Sequence, residues 1–166
     1  MNPRLYLIVH NVRSCYNVGS LLRTADAMAV DKVYLTGYTP YPKISNDNRL
    51  PYIVNKLARQ INKTALGAEQ SVDWEHEDDV LKLLPKLREQ DFTIVALEQS
   101  VRALKLPEYE GADKNIALIV GREVEGLEPE VLEASDLHLE IPMLGQKESL
   151  NVASAAAIAL YQLRWR

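Results

Sequence analysis

Short unbroken apolar runs alternate along this chain with longer segments whose apolar residues recur every three to four positions. "LYLIVH" reads as a buried first strand. After it, Val18, Leu21, Leu22, Ala25 and Ala29 fall on one helical face, with Asn17 as the expected N-cap. "KVYLTG" predicts a second strand ending at Gly37, followed by the polar stretch "YTPYPKISNDNRLP", longer than a simple connector and so a candidate binding element. "YIVNKLARQINKTAL" has the spacing of a basic amphipathic helix. "VLKLLPKLREQ" predicts another helix, with Pro85 marking a kink or a start. "FTIVALE", "IALIVG" and "LHLEIP" predict three further strands, with a short helix over "PEVLEASD" between the last two. "SLNVASAAAIALYQLRW" predicts a long final helix with Ser149 at its N-cap. Strands that are continuous apolar runs, separated by helices, imply a parallel sheet covered on both faces. No repeat, linker or low-complexity tract interrupts the pattern, which predicts one α/β domain over residues 1–166.

Composition changes this picture little. At 47% hydrophobic and 25% charged residues the chain is that of a globular protein with a real core. No run approaches a membrane span, the N-terminal apolar run is too short for a signal peptide, and the single cysteine, Cys15, cannot pair internally. A soluble cytoplasmic protein is the expectation. Charge changes the picture more. Residues 1–63 carry nine Lys/Arg against three acids, a net of +6, whereas residues 64–166 carry ten against twenty, a net of −10. An overall charge of −4 therefore conceals a basic half able to meet a polyanion, although scattered solvated charges would give the same tally.

In open parallel sheets ligands bind beyond the carboxyl ends of the strands. Four polar segments follow apolar strands here: "HNVRSCYNVGS", "EQS", "GREVEGL" and "PMLGQKESLN", and all four are expected on one edge. Each alone has an ordinary explanation. Arg23 could pair with Asp26 three residues on, "GREVEGL" could be a solvated glycine turn, and Ser149 with Asn151 could simply cap a helix. Several chemistries are excluded. The spaced dinucleotide fingerprint and the Walker loop are missing, which disfavours a generic nucleotide-binding protein. His10, His76 and His138 are scattered and give no metal set, and no strand–G-x-S-x-G–helix elbow supports a hydrolase triad.

Taken together and in order, "NVGSLLR" (Asn17 to Arg23), "IVGREVEGL" (Ile119 to Leu127) and "IPMLGQKESLNVASAAAIALY" (Ile141 to Tyr161) resemble the three motifs of the SpoU (TrmH-like) branch of the SPOUT RNA methyltransferases. The resemblance runs through essentially the whole chain. It implies a Rossmann-like parallel sheet whose C-terminal part is tied into a deep trefoil knot, the SPOUT α/β knot, which periodicity could not have suggested. It implies S-adenosyl-L-methionine as cofactor, held by Leu97, Glu98, Gly121, Ile141, Met143 and Leu150, with no metal. The family's catalytic residues fall on Asn17, Arg23, Glu123, Ser149 and Asn151. Arg122 stands where many relatives carry Asn.

The activity implied is methyl transfer to a ribose 2′-hydroxyl of tRNA or rRNA. Arg23 is the residue expected to act on that hydroxyl or its neighbouring phosphate. A guanidinium is a poor base, with a pKa above ~12, so a clamping role is the easier one. Without the added N-terminal domain or basic tails of some relatives, substrate choice would fall to the 38–63 segment, with Tyr38, Tyr41, Lys43, Arg49, Lys56, Arg59 and Lys63. The final helix, with Ala153, Ala156, Ala157 and Leu160, offers small apolar surface for a homodimer, in which Arg23 could serve the partner's pocket. A catalytically silent RNA-binding or assembly protein on the same knotted fold is the alternative.

Overall fold

The computed structural model describes residues 3–111 and 114–165. Among these residues seven strands form one fully parallel sheet. They are β1 (Leu5–His10), β2 (Lys32–Thr36), β3 (Trp74–Glu77), β4 (Phe92–Leu97), β5 (Leu104–Lys105), β6 (Asn115–Val120) and β7 (Leu137–Glu140), in the spatial order β3-β2-β1-β6-β4-β7-β5. The central strands β1, β4 and β6 are buried almost throughout, as continuous apolar runs must be when helices cover both faces. In register, Val9 lies beside Leu35 and Val120, and Ala96 lies between Ile119 and His138. The carboxyl ends of all the strands therefore share one edge.

On one face lie α1 (Cys15–Ala27), α2 (Pro51–Ala65), the short α3 (Ala68–Ser71) and α6 (Val152–Arg164), which share a core with Leu7, Val9, Leu35 and Leu118. On the other lie α4 (Val80–Glu89) and α5 (Pro129–Glu133), over Ile8, Ile94 and Ile119. Helices α1 and α2 approach very closely at Gly19, where a Cβ would stand 2.2 Å from the Ile61 carbonyl oxygen. Only glycine permits that crossing. Arg164 closes the opposite end, donating from Nε to the Met28 carbonyl at 2.9 Å and so pinning α6 to the end of α1.

Several helix starts differ from the sequence expectation. Ser14, not Asn17, caps α1, its side chain accepting from Asn17 N, and this adds a turn that places Asn17 inside the helix. Asn151, not Ser149, caps α6, accepting from Ala153 N and Ser154 N. In both cases the residue nearest the apolar stripe is not the cap, because the helix begins at the residue whose side chain reaches a free N–H. Pro85 marks no start; α4 begins at Val80 behind the Asp79 cap, and Pro85 sits inside it on the exposed side. The strand β3 was not expected at all. It is a half-exposed edge strand of sequence WEHE, without the apolar run of its neighbours.

One further expectation changes. Ala153, Ala156 and Leu160 are buried in the chain's own core, with α6 packed on α1, so these side chains are not free surface. Exposed instead are Ile158 (44%) and Tyr161 (60%) on the same helix and Trp165 (74%) at its C-cap. Among the described residues no helix is long and apolar enough to cross a membrane.

Candidate functional site

Three segments leave the carboxyl ends of β4, β6 and β7 and enclose a cavity of about 270 Å³ that opens to solvent. The segment after β6 folds into a tight loop. Gly121 lies against Leu127, with no room for a Cβ (2.8 Å to Leu127 Cδ2), and Gly126 takes a positive φ of 69°. A Cβ on Gly126 would also meet the Glu98 carboxylate at 2.2 Å. Arg122 donates from Nε to the Gly126 carbonyl at 3.0 Å and holds the loop closed. Glycine is required at both positions because chain folds directly onto chain.

Glu98 and Gln99 tie the loops together. The Glu98 carboxylate accepts from Gln99 N and from Leu127 N, both at 3.0 Å, so β4 is stapled to the loop after β6. Gln99 Nε2 donates to the Glu148 carbonyl at 2.7 Å, joining the segment after β4 to the one before α6. Glu98 is thus committed to shaping the cavity.

The cavity wall combines apolar side chains (Leu97, Ile141, Met143, Leu150) with carboxylates (Glu98, Glu123, Glu125, Glu140, Glu148), and Arg122 is the one cation among the lining residues. Ser149 lines the same cavity and is exposed. At the rim a chain of side-chain hydrogen bonds links all three sequence motifs. Glu123 Oε1 accepts from Asn17 Nδ2 and from Ser14 N, each at 3.2 Å. Asn17 Oδ1 in turn accepts from Asn151 Nδ2 at 3.1 Å, and Asn151 Oδ1 caps α6. Each amide has one end fixed as donor and the other as acceptor, so the network sets both orientations. Desolvation pushes the Glu123 carboxyl up, but hydrogen bonds from its own backbone, from Asn17 and from the Ser14 and Arg13 backbone outweigh it. The net shift is downward, and Glu123 stays anionic near neutrality.

Behind this network lies a second one. Asn11, in the left-handed region at φ 55°, donates from Nδ2 to Glu128 Oε1 at 2.8 Å. Buried His10 places Nε2 3.1 Å from Glu128 Oε2, but off the hydrogen-bond line, so that oxygen lacks a donor. The first strand's tail is thereby tied to the end of the loop carrying Glu123.

Of the eleven residues expected in the site, eight line the cavity: Leu97, Glu98, Gly121, Glu123, Ile141, Met143, Ser149 and Leu150. Asn17 and Asn151 reach it through Glu123. Arg23 does not. It lies six residues beyond Asn17, about 9 Å further along α1 and about two-thirds of a turn around it, exposed and without an ion-pair partner among the described residues. The alternative pairing with Asp26 is not made; Asp26 Oδ1 accepts from Ser71 Oγ at 2.6 Å. Sequence reasoning passed over Ser14, Gln99 and Glu128. Ser14 had a signal, a cap-type residue three positions before Asn17; Gln99 had only its place in the polar "EQS" segment, and Glu128, which acts through a contact with a distant segment, had none.

The comparisons with known proteins agree with this geometry. A protein of Staphylococcus epidermidis assigned to the TrmH family of tRNA/rRNA methyltransferases is 29% identical over 159 residues, which cover 95% of this chain and 57% of that protein. The chain thus spans little more than half the length of such relatives. A solved RNA 2′-O ribose methyltransferase is 26% identical with a TM-score of 0.78, covering 98% of this chain and 56% of its own. The AdoMet-bound rRNA methyltransferase of Sinorhizobium meliloti shares the fold at a TM-score of 0.81, at 21% identity, covering 99% of this chain and 57% of that one. The model of the SpoU rRNA methylase family matches residues 4–161, nearly the whole sequence, and the chain belongs to that family.

Proposed function

We propose that this protein is an S-adenosyl-L-methionine-dependent RNA methyltransferase that methylates a ribose 2′-hydroxyl of tRNA or rRNA, with residues 1–166 forming one SpoU-type catalytic unit. The observation that carries the reading is the acidic, partly apolar cavity joined to motif one through Glu123, Asn17 and Asn151. Its chemistry fits the cofactor. Leu97, Ile141 and Leu150 suit a flat apolar base, and carboxylates suit a ligand with a sulfonium and an ammonium group while opposing a nucleoside polyphosphate. When bound, the cofactor supplies an electrophilic methyl group. A neighbour of the same fold is AdoMet-bound, and another is a 2′-O ribose methyltransferase, which supports both halves of the proposal.

The chain's own residues then have separable tasks. Glu123, kept anionic, fixes the Asn17 amide and closes the loop over the cavity. Ser149 offers a hydroxyl at the cavity mouth to a ribose or its phosphate. Arg23 would clamp a phosphate and stabilise negative charge on the attacking oxygen, which its planar fork does better than proton abstraction. Its position outside the cavity of its own chain supports a homodimer in which Arg23 reaches the partner's cavity. Exposed Ile158 and Tyr161 on α6, the helix packed against α1, with Trp165 at its C-cap, offer the apolar contact. The crossover from β4 to the far edge strand β5, back to β6, and then into β7 between β4 and β5 supports the family's trefoil knot for this chain.

The test is calorimetry with S-adenosylmethionine and its demethylated product, then mass spectrometry of nucleosides from tRNA and rRNA incubated with protein and cofactor. A 2′-O-methylated nucleoside is expected. Cofactor binding without any methyl transfer to bulk RNA would favour the silent RNA-binding alternative, and no binding by a folded sample would overturn the proposal.

A further inference from the structure

The basic half of the chain is not one surface. Arg49 is spent inside its loop: it pairs with Asp47 at 2.6 Å, donates to the Tyr41 and Pro42 carbonyls at 3.0 and 2.9 Å, and stacks 3.6 Å above the Tyr41 ring. Tyr41 also stacks on His76 at 4.0 Å. Neither Arg49 nor Tyr41 is free to meet a ligand. The same holds in charge, because the Asp47 carboxyl, hydrogen-bonded by Arg49, is held far below the usual carboxylate range.

Helix α2 is different. Tyr52, Lys56, Arg59 and Lys63 are all exposed and recur at intervals of four, three and four residues, which places them in one stripe about 16 Å long. The buried residues Val54, Ile61 and Ala65 lie on the opposite side. No acid occurs between Asp47 and Glu69, and Glu69 itself accepts from Asn62 Nδ2 and Gly67 N. None of the three cations has an ion-pair partner among the described residues. At the far end Lys63 lies over the Tyr16 ring at 5.9 Å, and the Tyr16 carbonyl is fixed by Thr64 Oγ1 at 2.8 Å. Tyr16 directly precedes Asn17. The stripe therefore runs up to the residue before Asn17, whose amide bonds the cavity-lining Glu123, with an exposed tyrosine at each end.

We infer that Tyr52, Lys56, Arg59 and Lys63 on α2, continued by Tyr16, form a track for the phosphate backbone of the RNA, leading its strand to the mouth of the cavity. The inference rests on the RNA-methyltransferase reading for its direction, but the charge complementarity stands on its own. Three unpaired cations at neighbouring spacing match a run of phosphates, and Tyr52 offers an open face for stacking an unpaired base.

The experiment measures binding of unfractionated tRNA by fluorescence anisotropy from 50 to 300 mM KCl, for wild type, the Lys56→Ala/Arg59→Ala/Lys63→Ala variant, and a Lys82→Ala/Lys86→Ala control on the opposite face. Each phosphate contact contributes ~0.7–0.9 to the slope of log affinity against log salt. The triple variant is therefore expected to lose about 2–2.7 from the slope, and at least tenfold in affinity at the lowest salt. The control should lose neither. Tyr52→Ala should lose severalfold in affinity with the slope unchanged. An unchanged slope in a triple variant that melts normally overturns the track, as does an equal loss in the control. If the triple variant melts early, Lys56→Gln/Arg59→Gln/Lys63→Gln replaces it under the same criteria. A lost slope with no cofactor binding in the wild type would keep the track and remove the enzyme reading, so the two fail separately.

Discussion

The carboxyl edge of the sheet has two unlike ends. Beyond β4, β6 and β7, three loops are cross-tied by Glu98, Gln99 and Arg122 around a cavity whose lining carries five carboxylates and one guanidinium. Beyond β2, the chain instead runs through a loop closed by its own Arg49–Asp47 pair into a helix whose charged residues are all basic. The charge imbalance of the sequence is thus a spatial division. An acidic, rigid pocket suits a small cationic ligand, and a basic open face suits a long polyanion. One surface of a single sign would serve one of these partners at the other's expense. Asn17 stands where the two meet, near the start of α1, which packs on α2 and is bonded to Glu123 of the cavity loop.

The largest expected effect separates the two ends outright. Leu150→Asp replaces an apolar contact for the cofactor's base with a carboxylate on the cavity wall. Cofactor binding by calorimetry should disappear, while tRNA affinity and its salt slope stay at wild type. Loss of both together would mean that the ends are not independent.

Next comes Arg23, which belongs to neither end within one chain. Arg23→Ala should lower turnover ~10²–10³-fold, the range seen when one charge-stabilising donor is removed, with cofactor affinity and melting temperature unchanged. Arg23→Lys should recover part of it. Mixing Arg23→Ala with Leu150→Asp sharpens the test, because a dimer of one each carries one intact pocket and one intact arginine facing it. Random exchange should then restore about a quarter of wild-type turnover from two nearly dead proteins. No restoration would return Arg23 to its own pocket, and a monomer in light scattering would remove the dimer altogether.

How much of this contrast was legible in the sequence depends on the range of the contacts involved. Five strands and the main helices follow from runs and periods that any local window sees. The edge strands β3 and β5 do not, being short and polar, and paired on one side only. The motif residues lining the cavity were legible as chemistry after strands. The cap positions were not, because Ser14 and Asn151 win by reaching N–H groups and free Asn17 and Ser149 for the site. The basic 38–63 segment looked uniform, yet Arg49 and Lys56 differ entirely in availability. That difference lies in the fold of one loop, which composition does not encode.

A third prediction concerns the joint between α1 and α2, which sets the track against the motif-one helix. Gly19→Ala would place a Cβ 2.2 Å from the Ile61 carbonyl oxygen and 2.9 Å from Ala65 N. Both are backbone atoms of a packed helix and cannot turn aside, so the cost should reach the upper part of the ~1–3 kcal/mol typical of overpacking. Melting should fall by several degrees, and the salt slope should change if α2 shifts. An unchanged melt would mean that the helices separate freely, and the track would lose its fixed relation to the site.

The smallest effect concerns pH. Burial lowers the proton affinity of His10, and the nearby Glu128 carboxylate offsets this only in part, with Arg122 adding to the lowering. Burial pushes Glu128 up, but hydrogen bonding from Asn11 and its own backbone, with the charges of His10 and Arg122, leaves it lowered; Glu123 is lowered too. The signs agree. A histidine lowered in the fold binds more protons when unfolded, so stability rises with pH across its window and falls as pH drops below its ordinary value of 6.5. The carboxylates contribute stability that is present above 4.5 and lost as pH falls towards their folded values. Thermal melts should therefore decline in two stages on the acid side. For a chain of this size ~1 kcal/mol corresponds to ~2–4 °C, so the first stage is measurable though small. In His10→Gln the melt at pH 7 should start lower, because the ring's bond to Thr36 at 2.9 Å is lost. Between pH 7 and 5 it should then run flat where the wild type falls. A parallel decline in both would assign the first stage to other groups and leave the His10–Glu128 joint behind motif two without a role in acid stability.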